Sequence, residues 1–357
     1  MKKFSFACAA VLGLAAALCG IAAAKAGAPD DHPVRRAMPA PKAKAIALPG
    51  GRGGLHLDDM FYDAPLGQVV VPAGATGSLD FIDAATGRVD SIGGFAVEKP
   101  AGKRRGGGIS SAAAGDGLIF TTDRADQKLY AVDSTRRAVV ATAALTHGPD
   151  YVRYLPSAHA IWVTEPHANG IQTFSLSVIP GAPPVISPSG FIKIPQGGPE
   201  ALAIDASRGR AYTNLHQGIT LAIDLRTRKI AARWKNGCRR AEGLALDEAR
   251  GFLFVACAEG KANVLDLRRG GKIVSSLAAG NGIDIIAYAP KLERLYLPAA
   301  RSATLTAAKV SPRGRLSRLW TAKTALGAHC VTADERGNAW VCDPRGGALL
   351  HFYAPAR

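Results

Sequence analysis

The sequence predicts an all-β fold, a seven-bladed β-propeller closed by an N-terminal strand in the last blade. Four short β-like runs separated by turn residues recur along the chain, and four strands make one propeller blade. Seven such units follow one another at spacings of 40 to 52 residues, a period typical of propellers. The last unit supplies only three runs, whereas an unassigned β-like stretch, Lys44–Pro49, precedes the first unit.

The blade register comes from unit five, whose runs are Glu242–Asp247, Gly251–Ala256, Ala262–Asp266 and Lys272–Leu277. Unit four repeats the pattern, including the aspartates that end its first and third runs. Lys44–Pro49 is expected to supply the missing fourth strand of the last unit and so to close the ring. Closure by a terminal strand also covers exposed strand edges. Aligning every unit on the end of its first run selects Asp63, Gly115, Leu155, Asp205, Asp247, Ala289 and Asp334.

The N-terminal residues 1–26 have the features of a cleaved secretory signal. Two lysines precede an apolar run, Phe4–Ala24, which ends in the small-residue motif Ala24-Lys25-Ala26. An uncleaved membrane anchor is the alternative, although many alanines and several glycines make the run weakly hydrophobic. Residues 27–43 are predicted to be a disordered linker, and residues 44–357 a single propeller domain. We therefore expect a periplasmic or secreted protein with no stable membrane span after cleavage.

The composition excludes a wholly disordered chain, because 48% of the 357 residues are hydrophobic and only 20% are charged. Lysine and arginine outnumber aspartate and glutamate 44 to 28, a formal net charge of +16, so an anionic partner is possible. Nucleic-acid binding is not expected, since aromatic residues make up only 6% and follow no basic track. The sequence motifs GxSxG and HExxH and the nucleotide-binding glycine loops are absent.

Four cysteines remain after removal of the signal, an even number that suggests disulfides in an exported protein. Their order along the chain alone allows three pairings. In a blade, the innermost strand starts and the second strand ends at the same face, because the two are antiparallel. The blade register therefore pairs Cys238 with Cys257 and Cys330 with Cys342. Four buried free thiols are the alternative.

The same register predicts a polar site at the mouth of the central channel. Inner strands face this channel, so equivalent side chains converge there, and several carboxylates repel one another unless a cation or protons intervene. Oxygen ligands suit Ca²⁺, and imidazole also admits Zn²⁺. A water-filled polar channel, hydrogen-bonded to neighbouring blades, is the alternative. The residues five positions before the Asp247 position in the seven units are Asp58, Ser110, Asp150, Glu200, Glu242, Asp284 and His329, and His56 precedes Asp58 by two residues.

Further charged residues are expected around this mouth. The candidate ligand-binding residues, which lie in or beside strand ends at this face, are Arg153, Glu165, Arg239 and Arg240. The basic segment Lys99–Arg105, followed by three glycines, is either a solvated loop or part of an anion site. Three further histidines are scattered and are interpreted as structural or surface residues: His147, His159 and His216.

The repeats resemble those of the YVTN-repeat β-propeller family of exported bacterial proteins. The resemblance covers about residues 44–353 and is most specific in Ser78–Gly87, Asp150–Arg153 and Trp162–Pro166. It implies seven blades, and members are mostly described as binding or uncharacterised proteins, while the wider fold also hosts lactonases and quinoprotein dehydrogenases. Two functions are therefore considered. The first is a propeller scaffold that binds a small-molecule or protein ligand at its mouth, and the second is a metal-dependent, lactonase-like hydrolase that uses the carboxylates.

Overall fold

Seven four-stranded antiparallel sheets follow one another along the chain, and each sheet forms one blade. The computed structural model describes residues 39–98, 107–195 and 197–353, and all of these belong to one compact unit. The predicted signal (residues 1–26), most of the predicted linker and the basic segment Lys99–Arg105 lie outside the described residues. The fold is a seven-bladed β-propeller, as the repeat spacing predicts.

Strand β1 (Ala43–Ala47) precedes the first blade. Blade 1 consists of β2 (Phe61–Asp63), β3 (Gln68–Ala73), β4 (Ser78–Asp83) and β5 (Val89–Ile92). Blade 2 consists of β6 (Ile109–Gly115), β7 (Leu118–Asp123), β8 (Lys128–Asp133) and β9 (Ala138–Ala144). Blade 3 consists of β10 (Val152–Leu155), β11 (Ala160–Glu165), β12 (Gly170–Ser177) and β13 (Val185–Lys193).

Blade 4 consists of β14 (Glu200–Asp205), β15 (Arg210–Leu215), β16 (Ile219–Asp224) and β17 (Ile230–Lys235). Blade 5 consists of β18 (Ala241–Asp247), β19 (Phe252–Cys257), β20 (Lys261–Asp266) and β21 (Lys272–Ala278). Blade 6 consists of β22 (Ala287–Ala289), β23 (Arg294–Ala299), β24 (Thr304–Val310) and β25 (Leu316–Lys323). Blade 7 consists of β26 (Val331–Ala333), β27 (Ala339–Asp343), β28 (Ala348–Phe352) and β1. Short 3-10 helices lie at Gly74–Thr76, Pro156–Ala158, Pro166–Ala168, Leu267–Arg269 and Pro290–Leu292.

The ring is closed by β1, the outermost strand of blade 7. It pairs antiparallel with β28, so that Ala43 faces Phe352 and Ala47 faces Ala348. The prediction of an N-terminal closing strand is confirmed, although the strand begins one residue before Lys44 and ends at Ala47. Leu48 leaves the ladder but still donates its backbone N–H to the carbonyl of Gly347 (3.0 Å).

The strand ends follow the aligned repeats. In each of the first six blades the innermost strand ends at the residue that the alignment selects, from Asp63 in β2 to Ala289 in β22. In blade 7, β26 ends one residue before Asp334. Asp205, Asp247 and Asp334 accept hydrogen bonds from backbone N–H groups of the following turn. The repeated aspartate therefore marks a strand end because its carboxylate closes the turn.

Burial follows the position of a strand within its blade. The second strand of blade 5, β19, is buried along its whole length, because neighbouring blades cover both of its faces. The outermost strand of blade 4, β17, alternates between half-buried and exposed residues, as expected for a strand with one face in solvent. The apolar cores lie between blades, as in the cluster that unites Phe254 of blade 5 with Leu297 of blade 6.

Candidate functional site

A recurring hydrogen bond joins neighbouring blades at the predicted polar ring. Asp59 donates its backbone N–H to the carbonyl of Ser110 (3.0 Å), the ring residue of the next blade. The same bond links Gly243 to Asp284 (3.2 Å) and Ile285 to His329 (3.0 Å). In each case the residue after a ring position contacts the ring position of the following blade. These positions are thus equivalent around one axis, and we name the carboxylates at them the acidic ring: Asp58, Asp150, Glu200, Glu242 and Asp284.

Arg124 links two members of the acidic ring. Its Nη2 lies 2.9 Å from Oδ2 of Asp58 and 2.5 Å from Oδ1 of Asp150, and its Nε donates to the carbonyl of Pro149 (3.0 Å). Burial raises the pKa of Asp150 to about 6 although Arg124 lowers it, and Asp58 adds to the rise. The single positive charge of Arg124 therefore compensates only part of the negative charge of Asp58 and Asp150.

His216 lies between two further carboxylates. Its Nε2 is 3.4 Å from Oε2 of Glu200, and its Nδ1 is 3.4 Å from Oε2 of Glu242. Nδ1 also lies 3.1 Å from the carbonyl of Ala241; a carbonyl only accepts, so Nδ1 carries the hydrogen. One ligand atom from each of Glu200, His216 and Glu242 lies within 4.8 Å of the others. We name these three residues the Glu–His–Glu cluster.

Two further carboxyl groups of the acidic ring, Glu200 and Asp284, have raised pKa values. Burial, together with the charges of Asp150, Glu242 and Asp284, raises the pKa of Glu200 to about 9. Burial and the charges of the neighbouring carboxylates also raise the pKa of Asp284 well above its usual range. Arg240 offsets part of this charge, since its Nε donates to Oε1 of Glu242 (2.6 Å). The ring therefore favours either protons or a bound cation.

The two histidines expected among the metal ligands have different surroundings. His329 donates from Nδ1 to the carbonyl of Gly327 (2.8 Å), and the same nitrogen lies 3.7 Å from Sγ of Cys342. His329 thus lies beside the Cys330–Cys342 pair and is not part of the Glu–His–Glu cluster. His56 is half-buried on the segment that leads to Asp58.

Arg153 lies deeper in the channel than the acidic ring. It forms an ion pair with Asp59 through Nη1 (2.5 Å) and Nη2 (3.2 Å), and its guanidinium lies 5.2 Å from the centre of the Tyr151 ring. Asp59 also accepts a hydrogen bond from the hydroxyl of Ser111 (2.6 Å). Asp59, Tyr151 and Arg153 line a cavity of about 310 Å³ whose other walls include Met60, Leu244 and Ile285.

The remaining candidate ligand-binding residues differ in exposure. Glu165 is fully buried and accepts the backbone N–H of Thr146 (3.1 Å), so its carboxylate is not open to solvent. Arg239 is exposed, and its backbone N–H donates to Glu259 (2.8 Å). Arg240 is the one of the four that contacts the acidic ring directly, through Glu242.

Sequence reasoning missed Arg124 and His216. His216, interpreted from the sequence as a structural or surface residue, lies between two ring carboxylates. Both residues directly follow the second strand of a blade, β7 or β15, and second strands end at the mouth. A charged or imidazole side chain one residue beyond the end of a second strand is therefore the sequence signal that indicates such a residue.

The four cysteines of the described residues lie in the two predicted pairs. The Cα atoms of Cys238 and Cys257 are 5.2 Å apart, and those of Cys330 and Cys342 are 5.5 Å apart. Both distances suit a disulfide.

Together, the blades and the polar mouth define this chain as a seven-bladed β-propeller, and solved structures share its architecture. One is a chain in a crystal structure of the mitotic checkpoint complex, with a TM-score of 0.71 and 12% identity over 96% of this chain and 99% of that chain. Another is in hydrazine synthase of Kuenenia stuttgartiensis, with a TM-score of 0.66 and 13% identity over 85% of this chain and 96% of that chain. A third is the propeller domain of Myceliophteria thermophila Cps50 (Swd1), with a TM-score of 0.67 and 12% identity over 87% of this chain and 99% of that chain.

At these identities the likeness shows the fold alone. No protein-family model and no curated protein sequence matches this chain. Within the described ranges, no helix has the length and apolar character needed to cross a membrane.

Proposed function

We propose that this protein is an exported β-propeller scaffold that binds a ligand at its mouth through a transition-metal ion of the Zn²⁺ type. The ion is held by the Glu–His–Glu cluster. The observation that carries the proposal is the orientation of His216, whose Nδ1–H is donated to a backbone carbonyl while Nε2 faces Glu200. This is the arrangement that metal-ligating histidines have in proteins.

The carboxylates around the Glu–His–Glu cluster also favour the binding of a cation. Glu200 and Asp284 have raised pKa values because burial and neighbouring carboxylates disfavour their ionised forms. A divalent ion compensates that repulsion and displaces the protons. Imidazole as one of three ligands favours Zn²⁺ over Ca²⁺, which prefers oxygen ligands only.

Isothermal titration of chelator-treated protein with Zn²⁺ and with Ca²⁺ tests this site. We expect wild-type protein to bind Zn²⁺ more tightly than Ca²⁺, and His216→Ala to weaken Zn²⁺ binding by at least about tenfold. The matched control is His159→Ala, an exposed histidine in the turn between the first two strands of blade 3, which should bind as wild type does. Zn²⁺ affinity unchanged by His216→Ala would contradict the proposal.

Metal-dependent hydrolysis is the second candidate function. Three protein ligands leave a coordination position for water on Zn²⁺, and a carboxyl such as Asp284, with its raised pKa, suits a general acid. Hydrolysis of simple lactones by Zn²⁺-loaded protein should then fall in Asp284→Asn. Absence of turnover in the wild type leaves the binding scaffold as the function, whereas equal turnover in both proteins would exclude Asp284 as the general acid.

Export and kinship with the YVTN-repeat propellers are parts of the same proposal. They are supported by the signal-like residues 1–26 and by the repeats that end in aspartate. Mass spectrometry of the protein from a bacterial periplasm should find an N-terminus at Gly27. A chain that retains Met1 would contradict export by cleavage.

A further inference from the structure

The face opposite the mouth carries a different set of charges. Because consecutive strands of a blade are antiparallel, the turn between the third and fourth strands lies at the opposite end from the start of the innermost strand. Blades 4, 5 and 6 each have a basic turn there, at residues 225–229, 267–271 and 311–315. We name six exposed cations in or directly beside these turns the basic rim, leaving out Arg268 because it pairs with Asp266: Arg226, Lys229, Arg269, Lys272, Arg313 and Arg315.

The three turns of the basic rim are packed against neighbouring blades. Gly271 of blade 5, with φ +73°, lies against the Trp234 ring of blade 4, where an added Cβ would come within 2.2 Å. Gly314 of blade 6, with φ +76°, lies in the same way against Phe252 of blade 5, at 2.8 Å. Glycine is required at both turns, since the left-handed backbone and the close approach exclude a side chain. The basic rim is therefore one continuous, fixed edge.

Four carboxylates at the same face already have cationic partners within the chain. Asp224 pairs with Arg210 (2.5 Å) and Asp266 with Arg268 (3.1 Å), while Asp247 and Glu293 both pair with Arg250. The six cations of the basic rim form no ion pair with any residue in the described part of the chain. Their charge is thus available to an anionic partner.

Blade 3, the neighbour of blade 4, differs at the equivalent turn. Its strands β12 and β13 are eight and nine residues long, against six for the corresponding strands of blade 4. The hairpin tip is apolar and exposed: Val178, Ile179 and Val185 are 48%, 61% and 56% exposed. We name the segment Val178–Val185 the apolar tip.

Hydrogen bonds join blade 3 to blade 4 along this edge. Arg228, in the basic turn of blade 4, donates from Nη1 to the carbonyl of Ser189 (2.6 Å) and to the hydroxyl of Thr173 (3.0 Å) in blade 3. The basic turn of blade 4 therefore lies against the middle of the β12–β13 hairpin, and the apolar tip extends from that hairpin on the same face of the disc.

We propose that this edge docks the propeller onto the surface of an anionic lipid bilayer. The apolar tip enters the boundary between headgroups and acyl chains, and the basic rim contacts lipid phosphates, the two-part recognition that stable interfacial binding requires. A soluble polyanion would use the cations but not the exposed apolar tip. Docking in this orientation leaves the mouth facing the aqueous compartment.

Vesicle co-sedimentation tests this docking. Wild-type protein should bind vesicles of equimolar phosphatidylcholine and phosphatidylglycerol at least about tenfold more tightly than vesicles of phosphatidylcholine alone, and added salt should weaken the binding. Ile179→Asp and the double variant Arg269→Glu/Arg313→Glu should each lower that affinity by about tenfold or more. The control is the double variant Arg88→Glu/Arg136→Glu, which makes the same charge change in the equivalent turns of blades 1 and 2, outside the basic rim; it should bind as wild type does.

Two results would overturn the proposal. One is equal binding by wild type, Ile179→Asp and the charge-reversed variant when all three have the same melting temperature. The other is tight binding of heparin that is lost only in Arg269→Glu/Arg313→Glu while Ile179→Asp changes neither heparin nor vesicle binding. That second pattern would indicate a soluble polyanion as the partner of the basic rim.

Discussion

Glu200 connects the chemistry of the mouth to the stability of the fold. Its pKa is raised from an ordinary value of 4.5 to about 9, first by burial and then by neighbouring carboxylates. Between these two pH values the folded protein holds a proton that the unfolded chain has lost. The free energy of unfolding contributed by this group therefore falls as pH rises from about 4.5 to 9, and no loss occurs below that window.

We expect Glu200→Gln to remove this pH-dependent loss in the free energy of unfolding. Without added metal, the variant should be more stable than wild type near pH 8, by about 1–3 kcal/mol, and equal to it near pH 4. Urea titrations at the two pH values measure the difference. With saturating Zn²⁺ the order should reverse, because the wild type retains a ligand of the native state that the variant has lost. A variant less stable than wild type near pH 8 without metal would show that the Glu200 carboxylate is not strained by its neighbours.

At the scale of single elements, the closing strand β1 joins the two ends of the propeller. Ile46 is the buried residue of that strand and belongs to a core cluster that also contains Trp340 and Leu349 of blade 7. Ile46→Ala should lower the free energy of unfolding by about 2–4 kcal/mol, since it removes buried apolar surface and leaves a cavity. Lys44→Ala, an exposed position in the same strand, is the control and should change stability by less than about 0.5 kcal/mol. Chemical denaturation followed by tryptophan fluorescence measures both, and equal effects would indicate that β1 contributes no packing.

The two cysteine pairs also act within single blades, across Cα distances of 5.2 and 5.5 Å. Peptide mapping of exported protein without reduction should recover Cys238 linked to Cys257 and Cys330 linked to Cys342. Each bridge is expected to contribute about 2–4 kcal/mol by restricting the unfolded chain, so reductant should lower the urea midpoint. Recovery of Cys257 linked to Cys330 would contradict the blade register.

At the scale of the whole molecule, the distance between the two faces makes metal binding at the mouth independent of lipid binding at the basic rim. A six-residue strand spans about 20 Å, whereas charges in physiological salt are screened over about 8 Å. His216→Ala should therefore leave vesicle binding unchanged, and Arg269→Glu/Arg313→Glu should leave Zn²⁺ affinity unchanged. Titration and co-sedimentation of the same two variants check this. A loss of both functions in either variant would point to a change of fold rather than to two separate sites.

The sequence by itself determined the number of blades, their register and the closing strand. These features depend on local signals: runs of β-forming residues, turn residues between them and aspartates such as Asp205 and Asp247 that close a turn within a few residues. Because rotation about one axis carries equivalent positions together, the repeat alignment also predicted which carboxylates surround the mouth.

Only the tertiary structure decided which side chains compensate those carboxylates. Arg124 of blade 2 bridges Asp58 of blade 1 and Asp150 of blade 3, and His216 of blade 4 lies against Glu242 of blade 5. It also decided that Arg153 pairs with Asp59 in the channel and that Glu165 is buried. Such contacts depend on the angle between neighbouring blades and on how far each loop reaches. Residues far apart in the chain set both quantities together, so no local pattern encodes them.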